Sequence, residues 1–165
     1  MEQNKLTLTK DTEGTCVSVG GGTYRTVMSG KQTGGAYAVI EMLVPPNGGP
    51  PPHSHADVQE AFYILEGEIE LRTEEGNHTA QKGDYVNIPK GGLIHQFRNK
   101  TDTLARLMCI VTPAGMDEMF EEIGEPVEYG QFLPPPEMTP ELAERMLKIG
   151  EKYGQKFFPP DYFSK

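Results

Sequence analysis

The chain of 165 residues contains no tryptophan, only two cysteines and only four histidines. It is also short of positive charge, with 15 Lys and Arg against 24 Asp and Glu, a net charge of −9. That balance argues against a nucleic-acid partner, whose phosphates call for a basic patch, and against anionic membrane surfaces on the same grounds. No helix-turn-helix segment is evident. No stretch approaches the roughly 20 apolar residues of a membrane span, and the opening MEQNKLTLTK lacks the apolar run of a signal peptide. Cys16 and Cys109 show no paired spacing and adjoin no motif, which reads as two reduced, buried thiols. The expectation is a soluble, cytoplasmic protein with no membrane partner and one hydrophobic core.

What the chain does have is turn chemistry, with 19 glycines and 14 prolines. From residue 15 to about 112, segments of period-two alternation are separated by glycine-rich turns. TCVSV, TYRTVM, AYAVIEMLV, QEAFYIL, EIELRT, HTAQ, YVNIP, IHQFRN and LARLMCIVT read as strands. Many short, evenly spaced strands without a recurring helix–strand unit predict an all-β sandwich or barrel over 1–112. After Thr112 the pattern changes. MDEMFEEIG reads as a short acidic helix, a proline-rich connector follows, and Thr139-Pro140 is a good helix start. Leu142, Met146, Ile149 and Tyr153 then recur on one helical face. Residues 113–165 therefore form a C-terminal extension with one or two helices, packed on the barrel or on a partner subunit.

Two of the four histidines stand one residue apart, in PPPHSHADVQE. On a strand, His53 and His55 project to the same face, about 7 Å apart at their α-carbons, and two rings so placed converge on one ion. Glu60 lies an odd number of residues beyond His55, but a turn or bulge at Ala56-Asp57 resets the parity and lets it supply a carboxylate. A further ligand has to come from another strand on the same barrel face, and His95 follows a glycine pair in an apolar setting. Three imidazoles and a carboxylate suit one divalent transition metal (Mn, Fe, Co, Ni, Cu or Zn) rather than Ca or Mg. His78, beside Gly76-Asn77, reads as a solvent-exposed turn residue. By parity with Glu60 and His95, Phe62 and Phe97 point inward, and Ile40 and Met42 form the apolar side of AYAVIEMLV. These four are candidate walls of a dry substrate pocket, with barrel core as the plainer alternative. Arg25, Arg72, Arg98 and Arg106 are assigned to the solvent face.

These segments resemble the paired motifs of the cupin superfamily. Gly48, His53, His55, Glu60 and Gly67 fill the first motif, its initial spacer one residue short; Gly83, Pro89, His95 and Asn99 fill the second. Either Gly91 or Gly92 serves as its middle glycine, and counting from Gly92 places one extra residue in the turn after Pro89. The likeness runs from about Tyr37 to Thr112. It implies a jelly-roll barrel of two facing antiparallel sheets, often dimeric, with a metal held inside by His53, His55, Glu60 and His95. Taken by themselves, Gly67, Gly83, Gly91 and Gly92 read as turn residues needing positive φ, and Asn99 as a satisfier of backbone groups at a strand end.

The run TPAGMDEMFEEIGEP is similar to a segment of single-domain proteins related to quercetin dioxygenases. That likeness implies dioxygen-dependent cleavage of a flavonol-like or enolic small molecule, with Glu60 also acting as catalytic base. The alternatives are a non-catalytic metal-bearing module that binds a small molecule, and a metal-dependent sugar isomerase or epimerase. The expected partners are thus a small-molecule substrate, dioxygen if the protein is an oxygenase, and a second copy of the chain in a homodimer.

Overall fold

Alternating side chains sort this chain into two facing layers. The structure, a computed structural model, describes residues 5–164; the first four positions of the barrel region and the last of the extension lie outside the described residues. Ten strands run through the region read as β: β1 (Cys16–Val19), β2 (Gly22–Met28), β3 (Ala38–Val44), β4 (His53–His55), β5 (Gln59–Glu66), β6 (Glu68–Thr73), β7 (Gly76–Gln81), β8 (Tyr85–Ile88), β9 (His95–Arg98) and β10 (Ala105–Thr112). Helix α1 (Met116–Ile123), the short β11 (Glu125–Pro126), helix α2 (Pro140–Lys152) and β12 (Gln155–Phe157) follow.

One antiparallel sheet has the order β11-β1-β2-β3-β10-β5-β8, and the other β12-β4-β9-β6-β7. The sheets face one another as a jelly roll without closing into a continuous ring. Strand β10 shows how the core is written: Ala105, Leu107, Cys109 and Val111 are buried, while Arg106, Met108 and Ile110 are less so. With Ile40, Met42, Phe62, Ile64, Ile69 and Phe97 they fill the space between the sheets. At Gly67, φ is 73°, and an added Cβ would lie 2.8 Å from the Leu104 carbonyl oxygen, so the β5–β6 turn requires glycine there. Gly83, Gly91 and Gly92 also have positive φ. His78 lies within β7 rather than in the turn, and it is exposed.

The C-terminal segments return to this chain's own barrel. Thr139 caps α2, its side-chain oxygen accepting from the Leu142 N–H at 3.2 Å. Of the stripe on α2 only Ile149 is fully buried in the core; Leu142 and Met146 line a cavity of about 660 Å³ under the proline connector. Beyond the helix, β12 pairs with the outer edge of β4, setting Gln155 opposite His55 and Phe157 opposite His53. No described helix is long and apolar enough to cross a membrane.

One expectation about charge is overturned. Arg25 is buried, not on the solvent face, because its strand neighbour Glu41 is completely buried as well. Glu41 Oε2 accepts from Arg25 Nε at 2.7 Å, while Oε1 accepts from Arg106 Nε and, at 3.2 Å, from the Tyr129 hydroxyl. Burial would raise the Glu41 pKa, but the two guanidinium groups outweigh it and hold the carboxyl below its ordinary value. Glu41→Gln keeps the shape and leaves the buried Arg25 without a counter-charge, so urea unfolding should show a loss of about 3–5 kcal/mol. The lowered pKa fixes the sign of the pH effect: the Glu41 contribution is present above the ordinary carboxylate pKa and fades as pH falls through the lower folded value.

Candidate metal centre

The two sheets contribute different parts of one cluster. His53 and His55 come from β4, and His95 stands directly opposite His53 on β9 of the same sheet. After His55 the chain bends at Ala56 and Asp57 and crosses to the other sheet, so Glu60 on β5 approaches from the facing layer. The parity reset expected at Ala56-Asp57 is thus a change of sheet, and the shell spans the barrel interior. All four residues are buried, and one donor atom from each lies within 4.8 Å of the others.

Backbone carbonyls orient the three rings. His53 Nδ1 donates to the Pro51 carbonyl at 3.0 Å, His55 Nδ1 to Val58 at 2.9 Å and His95 Nδ1 to Leu93 at 2.9 Å. A carbonyl oxygen only accepts, so each Nδ1 carries the hydrogen and each neutral ring presents its Nε2 lone pair on the far side. Glu60 Oε2 is 3.0 Å from His55 Nε2 and 3.2 Å from His95 Nε2. Imidazole lone pairs and a carboxylate oxygen at such distances repel unless positive charge stands between them. In the metal-free molecule a proton meets part of that need. Burial opposes charge on His55, but the hydrogen bond and charge of Glu60 win and raise its pKa. At His53 burial dominates, with His95 adding to it, and pushes the ring down to about 3. Burial would likewise raise Glu60, yet the bonds from His55 and His95 hold it well below the usual carboxylate range. The donor set fits a divalent transition metal: neutral nitrogen and anionic oxygen, with the rings fixed through their second nitrogens.

Cys109 is the residue that the sequence reading passed over. It is buried, as expected of a free thiol, but its Sγ donates to Glu60 Oε1 at 3.2 Å. Burial, with the adjacent Glu60 charge, raises its pKa well above the usual value and keeps it a thiol. The signal was present in LARLMCIVT, where Cys109 shares its face with Leu107 and Val111. Asn99 is fully buried and donates to the Val44 and Thr103 carbonyls, tying the end of β9 to the end of β3 and to the loop before β10. The four proposed pocket residues are all buried in the core, with the Phe62 and Phe97 rings 5.3 Å apart and edge to face.

A nearby cavity of about 410 Å³ opens between the edge strands β7 and β8. Its lining includes Leu71, Ile88 and Leu93. Ile88 is the strand partner of Glu60, Leu71 that of Phe97, and the Leu93 carbonyl holds the His95 ring. Ile40, Met42, Phe62 and Phe97 do not line it.

A cation taken up by the shell must displace the proton on His55. Since that pKa is raised, the proton competes increasingly as pH is lowered, and apparent metal affinity should fall with it. Calorimetry in buffers of different ionisation enthalpy, run below the ordinary imidazole pKa, should find proton release on ion binding. Release of none would contradict this protonation scheme.

Residues 40–111 match the cupin domain family. Over 122 residues the chain is 25% identical to a quercetin 2,3-dioxygenase of Bacillus subtilis, covering 74% of this chain and 35% of that protein. Over 108 residues it is 28% identical to a quercetin 2,3-dioxygenase of Aspergillus japonicus, covering 61% of this chain and 30% of that one. The chain therefore spans about a third of the length of these two relatives. The polyketide cyclase RemF from Streptomyces resistomycificus superposes with a TM-score of 0.59 over 90% of this chain and 99% of its own, at 17% identity, a likeness of fold alone. The jelly roll seen in the structure agrees with the family match: residues 40–111, a little under half of the chain, are similar to the cupin domain.

Proposed function

We propose that His53, His55, Glu60 and His95 hold one divalent transition metal ion and that the protein is a metal-dependent dioxygenase acting on a small aromatic, flavonol-like or enolic molecule. The observation that carries this reading is the inward convergence of three imidazoles and the Glu60 carboxylate, all buried and, among the described residues, with no Lys or Arg paired to Glu60. The bound ion would supply Lewis acidity and a place for substrate oxygen. The likeness to two quercetin 2,3-dioxygenases supports the choice of reaction and substrate class.

The chain's own residues divide the remaining work. Glu60 is the one carboxylate in the shell, so it is the group that takes the proton of an enolic hydroxyl brought within hydrogen-bond reach. Phe62, Phe97, Ile40 and Met42 keep the surroundings of Glu60 and His95 apolar, which favours a flat aromatic ligand and excludes water. The cavity between β7 and β8 is of a size suited to a small molecule and ends at neighbours of Glu60 and His95. We read it as the substrate's approach. A sugar phosphate would need free cationic groups, and Arg25 and Arg106 are already engaged by Glu41.

Protein loaded separately with Fe, Mn, Co, Ni, Cu or Zn should consume dioxygen on addition of quercetin with at least one of these ions, as read by an oxygen electrode. His95→Ala should lose most of its bound metal and the oxygen uptake together. Stoichiometric metal without flavonol-dependent uptake for any ion would overturn the dioxygenase reading and leave a metal-bearing binding module.

A further inference from the structure

Glu60 has two carboxylate oxygens, and the protein treats them differently. Oε2 meets His55 and His95, whereas Oε1 meets only the thiol of Cys109 among the described residues. Cys109 stands on β10 opposite Phe62 of β5, one strand away from the carboxylate it touches. Both side chains are almost completely excluded from solvent. The sulfur is not among the donor atoms that lie within 4.8 Å of one another, so it is not a fifth ligand in this geometry. A thiol facing a carboxylate donates its hydrogen.

We propose that Cys109 is a positioning residue for Glu60. Its S–H holds Oε1 toward β10, so that Oε2 alone is presented to the imidazoles and the carboxylate meets a metal ion through one oxygen. Without that donor, Oε1 becomes a buried acceptor with no partner. The carboxylate is then free to rotate about its terminal bond and turn either or both oxygens inward. The sulfur takes part in no bond-making, and its effect passes entirely through the orientation of Glu60. The inference rests on the metal-shell reading and extends it to a residue outside the shell.

The test compares wild type, Cys109→Ser, Cys109→Ala and Cys109→Val, each loaded with cobalt(II) and followed by its visible spectrum and by chelator competition. Serine keeps a donor, whereas alanine and valine remove it at smaller and larger volume. The expected result is a cobalt affinity weakened about tenfold or more in Cys109→Ala and Cys109→Val. Both should show an altered cobalt spectrum, and Cys109→Ser should restore affinity and spectrum toward wild type. In metal-free wild type, the infrared S–H stretch of Cys109 should lie below that of Cys16, a readout independent of any metal and of activity. Equal cobalt affinity and spectra in all four proteins would overturn the proposal while leaving the shell intact. A serine variant as impaired as the alanine variant would also overturn it, because packing rather than hydrogen bonding would then be the role of the thiol. Failure of wild type to take up cobalt would remove the shell reading itself, and the positioning role with it.

Discussion

Negative charge buried in a protein has to be answered by its neighbours, and two buried carboxylates in this chain are answered in opposite ways. Glu41 faces the guanidinium groups of Arg25 and Arg106, which stay protonated at any ordinary pH. Its charge is settled for good, and the cluster joins β2, β3 and β10 to the loop around Tyr129. Glu60 faces imidazoles whose Nδ1 hydrogens are already committed to backbone carbonyls. They balance a carboxylate only by gaining a proton or sharing a cation. One buried acid is therefore held by permanent cations and the other by bases that titrate.

The jelly roll makes the second arrangement possible. Imidazoles on β4 and β9 and a carboxylate on β5 belong to opposite sheets, so the cluster forms only when the layers face each other. The same packing that excludes water from Phe62, Ile64 and Phe97 strips water from the four side chains and strengthens their mutual electrostatics. Position here comes from strands rather than loops, with ring orientation fixed by the carbonyls of Pro51, Val58 and Leu93. Rigid placement of this kind favours a defined coordination geometry.

Much of this was legible in the sequence because period-two alternation is a local signal. The strands around residues 38–44, 59–66 and 105–112 read correctly to within a residue or two, and His-x-His with Glu60 and His95 carried the cluster. What the sequence did not reveal depends on register and on chain reversal. Nothing in ADVQE says that the bend at Ala56-Asp57 carries Glu60 to the facing sheet. Arg25 looked solvent-facing because its pairing with the Glu41 strand is a nonlocal fact. Cys109 was visible as an inward position, but its contact with Glu60 requires knowing that β10 lies beside β5. Strand β12 has only three residues, QKF, too few for alternation to register against the helix before it and the prolines after it.

That short strand bears on how the chain is made as well as on how it looks. His53 and His55 leave the ribosome about a hundred positions before Gln155 and Phe157, their partners on β12. Until those residues emerge, the outer edge of β4 carries unpaired backbone groups, and an open strand edge is a template for pairing with another chain. A polypeptide interrupted between α2 and β12 would hold the cluster-forming histidines on an unprotected border. Arrival of β12 and protection of that border are one event in this fold, so a chain that stops short of β12 offers an open edge for pairing.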